Sequence, residues 1–248
     1  MAVVDAPPLL AWHGDQTRKG AALAQMAAHR AADTLIQGLY WSDGRGCAVG
    51  CLTRNPNGGH SSYPELFGIP VELAYLEDRI FEGLPRDLAV LWPERFLSAI
   101  RPGVDLSRVA RLFAKHRAAE AVRQHWPVSV SADARVEVLA WLDDDDALTG
   151  NRRIREVTAK AQREMRRAAV GAYAAYAAYA ADAAADAADA AAAAYAAAYA
   201  AAYAAAYAAA YAAAYADADA ADAAAYADAA ADAWSRSADL LIELLEAA

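Results

Sequence analysis

Cys47 and Cys51 stand four residues apart, with His29 upstream and His60 downstream. Two thiols and two imidazoles are the donors of a tetrahedral zinc site, so Cys47, Cys51, His60 and His29 are candidate ligands. The same stretch can be read as catalytic. Cys47 follows Gly46 at the start of a short apolar run, where a helix N-terminus would lower a thiol pKa. His60 is then the candidate base, and Asp43 or Glu77 the carboxylate that orients it. A third reading is structural, because cysteine is among the residues most often buried. Glycines 44, 46, 50, 58 and 59 allow the backbone to approach closely around these positions.

Other charged groups carry weaker signals. Glu77 and Asp78 on a predicted helix could be paired carboxylates, but adjacent residues point apart, so a solvated face is the preferred reading. His116 and His125 read as surface histidines. Seven cations lie between Arg152 and Arg167. They could touch nucleic acid, and are equally explained as the complement of the acidic run Asp143–Asp146 and of Asp residues on the tail. No phosphate-cradling loop or dinucleotide fingerprint is present.

The elements that must hold these groups read as helices. Residues 20–41 have strong helix propensity and contain no Pro. Asp43-Gly44-Arg45-Gly46 is a turn and Asn55-Pro56-Asn57-Gly58-Gly59 a loop. Pro70 to Glu82 is bounded by Pro at its first turn and Gly83 past its end, with Leu73, Leu76, Ile80 and Phe81 on one face. Two short helices follow, from Asp87 to Trp92 and from Pro93 to Ile100. A longer one runs from Ser107 to Trp126, ended by Pro127, and another from Ala134 to Leu142. Only Val128-Ser129-Val130-Ser131 alternates like a strand. The expected class is all-α, with a compact helical domain over 1–150.

Residues 28–33 (Ala-His-Arg-Ala-Ala-Asp), 46–52 (Gly-Cys-Ala-Val-Gly-Cys-Leu) and 76–85 (Leu-Glu-Asp-Arg-Ile-Phe-Glu-Gly-Leu-Pro) carry a resemblance. Together they resemble the Cys-containing helical N-terminal module of a group of bacterial proteins with Ala-rich C-terminal tails. The resemblance spans about residues 20–110, and that group has no assigned activity. It therefore implies a helical module and transfers no functional residue.

The rest of the chain differs in kind. Residues 171–233 hold 44 Ala among 63 positions, and the others are Gly, Tyr and Asp. No Gly or Pro occurs from Ala172 to Leu245, and Ala is the strongest helix former. The segment 151–233 is thus expected to be a basic stretch leading into one extended helix. Tyr195, Tyr199, Tyr203, Tyr207, Tyr211 and Tyr215 recur every four residues, so their row drifts about 40° per step and leaves no fixed coiled-coil seam. Residues 234–248 read as a short amphipathic helix, with Ser237 at its N-cap and Leu241, Leu244 and Leu245 on one face.

Charge follows the same division. The chain of 248 residues has a formal net charge of -9. Residues 171–248 carry one Arg against 11 acids, whereas residues 1–170 are near neutral. This excludes a basic nucleic-acid binder of the usual kind, and two cysteines exclude a disulfide scaffold. The uncharged run 190–216 is only Ala and Tyr, with no Leu, Ile, Val or Phe to drive insertion, so no membrane span is expected. The N-terminus has no basic start followed by an apolar run, and the thiols are expected to be free in a reducing cytoplasm. The leading expectation is a non-enzymatic interaction or scaffold protein. It would use the Ala-rich helix for a protein partner or for self-association, without a cofactor. The alternative is a cysteine-dependent enzyme or metal-binding protein, with zinc, centred on Cys47, Cys51, His60 and His29.

Overall fold

A computed structural model describes residues 9–55, 59–125, 131–147, 152–154, 156–157, 159–160 and 220–248. These are mostly helical, and the one sheet among them has two strands. The chain divides into two compact units. The first is drawn from Met1–Glu82, Arg86–Val109 and Ile242–Ala248, and the second from Gly83–Pro85 and Ala110–Leu241.

The first unit begins with a tight turn, Ala11–Gly14, in which Trp12 and His13 both have left-handed backbone angles. The turn is held by Trp12, fully buried, whose Nε1 donates to Ile100 O at 3.0 Å. Helix α1 spans Gln16–Ala31, not residues 20–41. Asp15 caps it, Oδ1 accepting from Thr17 N at 2.7 Å, which is why it starts earlier. It ends at Ala31 because Asp33 turns left-handed (φ 51°) and Thr34 N bonds back to His29 O. Its buried face is thin, made of Ala22 and Met26.

Strands β1 (Trp41–Ser42) and β2 (Arg45–Gly46) form an antiparallel hairpin with Trp41 opposite Gly46. The expected turn is there, and Asp43 and Gly44 both take positive φ, as such hairpin turns require. The strands were not foreseen because two residues are too few to alternate. Helix α2 (Ala48–Thr53) follows, then α3 (Tyr63–Phe67) and α4 (Val71–Gly83). The limits of α4 agree with the Pro70 and Gly83 signals. Its buried residues are Leu73, Ala74, Leu76, Glu77, Ile80 and Phe81. Helices α5 (Arg86–Ala89) and α6 (Trp92–Ala99) complete the bundle, and Trp92, Phe96 and Leu97 are fully buried.

In the second unit, α7 is Val109–His125, continuous across the unit boundary, and α8 is Ala132–Leu142. Lys115 of α7 is fully buried, where Nζ donates to Asp144 O and to Ala147 O (2.8 Å) and lies 5.0 Å from the centre of the Trp141 ring. The acidic run is held by α7: His116 meets Asp145 at 3.0 Å and Arg123 meets Asp143 at 2.5 Å. Arg152 and Arg153 pair instead with Glu156 and Glu137. Most of the basic stretch, including Arg155, Arg163, Arg166 and Arg167, lies outside the described residues.

Helix α9 runs unbroken over Ala220–Ala247. Ser237 is not an N-cap. It sits mid-helix, buried, with Oγ donating to Ala233 O at 2.8 Å. Trp234 is buried, and lies so close to Gly83 that a Cβ on Gly83 would be 2.1 Å from its ring. Residues 161–219, which hold most of the Ala-rich segment, lie outside the described residues, as does most of the strand candidate at 128–131. Among the described residues no helix is long and apolar enough to cross a membrane.

Candidate functional site

The chemistry-bearing residues of the first unit gather around the start of α2. Cys47 is its N-cap residue, buried, with Sγ accepting from Gly50 N at 3.5 Å. The Tyr40 carbonyl presses on this turn. A Cβ at Gly46 would lie 2.2 Å from Tyr40 O, and one at Gly50 1.7 Å, so only glycine fits at either place. Cys51 is one turn on, also buried, but its Sγ donates to Gly46 O at 3.3 Å. The two thiols thus share a helix and serve different neighbours.

His60 begins the turn that leads into α3 and is buried. Gly59, just before it, packs against the Thr53 side chain at the end of α2. Tyr40 Oη and His60 Nδ1 are hydrogen-bonded at 2.5 Å. Nε2 faces Asp78 Oδ2 at 3.2 Å, where a ring N–H can donate to the carboxylate. Tyr75 stacks on the imidazole at 4.2 Å with planes 18° apart. The other Asp78 oxygen, Oδ1, is buried without a hydrogen-bond partner.

Asp78 and Glu82 are four apart on α4 and share a face. Glu82 is anchored by Gly38 N, which donates to Oε2 at 2.7 Å, while Gln37 Nε2 donates to Phe81 O at 2.8 Å. Cys47, Asp78 and Glu82 each offer one ligand atom, all within 4.8 Å of one another. Burial, reinforced by the Asp78 carboxylate, pushes the Cys47 thiol far above its usual range. Burial also raises the Glu82 carboxyl, and lifts Cys51 to about 11. A protonated thiol beside carboxylates is the reverse of an activated nucleophile.

Glu77 lies behind this cluster, fully buried. Tyr63 Oη donates to its Oε2, and its Oε1 has no partner. Burial pushes its pKa up to about 8. Trp92 Nε1 fixes the backbone here by donating to Glu77 O at 3.0 Å.

Of the residues singled out from sequence, the structure joins His60 and Cys47, through Asp78. It does not bring in the others. His29 Nδ1 is 2.8 Å from Thr34 Oγ1, and its ring meets Trp41 edge-on. Asp43 is exposed on the hairpin turn and accepts from Ser42 Oγ at 2.9 Å. The carboxylate that orients His60 is Asp78, not Asp43 or Glu77. Glu82, Tyr40 and Tyr63 were missed, and Asp78 was set aside as part of a solvated face. One signal was available: Glu77 falls four residues after Leu73 and four before Phe81, on the apolar stripe, so α4 had to bury a carboxylate and bring its neighbour to the edge of the core. No family model, curated protein or solved structure matches this chain, so its functional reading rests on the geometry of this site.

Proposed function

We propose that the first unit is a divalent-cation-binding module whose donors are Cys47, Asp78 and Glu82. The observation that carries this reading is the 4.8 Å clustering of one thiol and two carboxylates. Burial beside the Asp78 carboxylate raises the Cys47 thiol and the Glu82 carboxyl, so both hold their protons more tightly without a cation. A divalent cation replaces those protons and offsets the mutual repulsion. One sulfur with two oxygens suits a borderline cation such as zinc better than calcium or magnesium, which take oxygen alone. The same protonation weighs against a cysteine-dependent enzyme. Two free buried thiols fit a reducing compartment such as the cytoplasm.

The test is elemental analysis of the full-length protein after zinc loading and desalting. The reading expects zinc to be retained by the native chain and lost by Asp78→Asn. No retained zinc refutes it.

A second reading concerns the Ala-rich segment as a surface for a protein partner or for self-association. Its support is α9, which carries Asp222, Tyr226, Asp228 and Asp232 of the repeat within one continuous helix. Sedimentation of the full chain against a deletion of 172–219 tests it. A monomer for both proteins would refute self-association through this segment.

A further inference from the structure

We infer that Tyr40 and His60 are positioning residues that hold Asp78 by Oδ2 and leave Oδ1 as its single donor to the cation. The inference rests on the cation-binding reading and specifies how the site selects its ion. Asp78 has two oxygens in different circumstances. Oδ2 is 3.2 Å from His60 Nε2, whereas Oδ1 is buried with no partner. A buried carboxylate oxygen without a partner is costly, and a cation at the Cys47 side would satisfy it.

The imidazole is fixed on three sides. Tyr40 Oη holds Nδ1 at 2.5 Å, the Tyr40 ring meets it edge-on at 5.5 Å, and Tyr75 covers its face at 4.2 Å. Tyr40 and the backbone just before His60 both pack against the turn and helix that present Cys47. The Tyr40 carbonyl sits against Gly46 and Gly50, and Gly59 against Thr53. The thiol and the imidazole therefore keep a common frame. Locking one oxygen makes Asp78 a one-atom ligand. That favours a four-coordinate ion of the zinc type over calcium, which takes six to eight oxygens and uses bidentate carboxylates.

The experiment measures zinc affinity by chelator competition, and calcium affinity by titration, on the full-length protein. Wild type is compared with His60→Ala, His60→Gln and Tyr40→Phe. Loss of such a partner typically weakens a site about 10- to 100-fold. His60→Ala is expected to lose zinc affinity by that factor and to narrow the preference for zinc over calcium. His60→Gln keeps a side-chain amide that can donate to Oδ2 and is expected to recover much of the loss. Tyr40→Phe shifts in the same direction as His60→Ala, by less, and tests the chain even if His60→Ala does not fold. Wild-type zinc affinity and selectivity in the folded variants would overturn the inference while leaving the cation site standing. A wild-type chain that binds no zinc would overturn both.

Discussion

His60 Nε2 lies 3.2 Å from Asp78 Oδ2, which ties the turn ahead of α3 to the middle of α4 across 18 residues of sequence. This contact organises the site. It gives the imidazole a carboxylate partner, fixes which Asp78 oxygen is engaged, and brings α4 up to Cys47. Its surroundings make specific demands on sequence that can be tested.

Gly50 is the closest of these. A side chain there meets the Tyr40 carbonyl at 1.7 Å, and backbone cannot swing aside as a flexible side chain can. Gly50→Ala should destabilise the protein by about 3 kcal/mol, at the upper end of overpacking costs. Chemical denaturation of the two proteins measures this. A loss within experimental error would mean that Tyr40 is not seated on α2 as described.

Arg54 ends α2 in a left-handed conformation, φ 55° and ψ 33°, with its side chain exposed. This geometry costs an L-residue about 1 kcal/mol and costs glycine almost nothing. Arg54→Gly should therefore raise stability by about 1 kcal/mol, seen as a higher denaturation midpoint. A lower midpoint would contradict the cap geometry.

Glu77 makes stability depend on pH. Its pKa in the folded chain is about 8, against an ordinary value of 4.5. The unfolded chain releases this proton near 4.5, while the folded chain keeps it to about 8. The contribution to stability is thus complete below 4.5 and is lost as pH rises through the window to 8, with a limiting slope of roughly 1.4 kcal/mol per pH unit. Glu77→Gln keeps an oxygen for Tyr63 and removes the titration. The stability difference, variant minus wild type, should grow between pH 5 and 8. A difference independent of pH would show that Glu77 ionises normally in the fold.

The sequence carried the helical class and the limits of α4, since Pro70 and Gly83 are local signals. It did not carry the α1 boundaries, because the Asp15 cap outweighs the propensity count and the left-handed Asp33 stops the helix. Nor did it reveal the hairpin, which is held by Asp43-Gly44 and two residues on each side. Ser237 looked like a cap because serine favours that position. The Ala run before it is already helical, so the hydroxyl bonds back to Ala233 instead. At the site, Cys47 and His60 could be picked by residue type alone. Their partners could not, because Asp78 and Glu82 of α4 are distant from Cys47 in sequence and come within reach of it only in the folded chain. Glu77 and Asp78 were read as solvated, yet the apolar stripe of α4 takes Glu77 into the core.

The most direct test of the central claim is a cobalt(II) titration of the full-length protein, read through the near-ultraviolet thiolate-to-cobalt charge-transfer band. The band should rise to saturation at a single equivalent in wild type, persist in Cys51→Ser, whose thiol is bound to the Gly46 carbonyl, and vanish in Cys47→Ser. A wild-type protein without the band, or a band that survives Cys47→Ser, would contradict a cation site built on Cys47, Asp78 and Glu82.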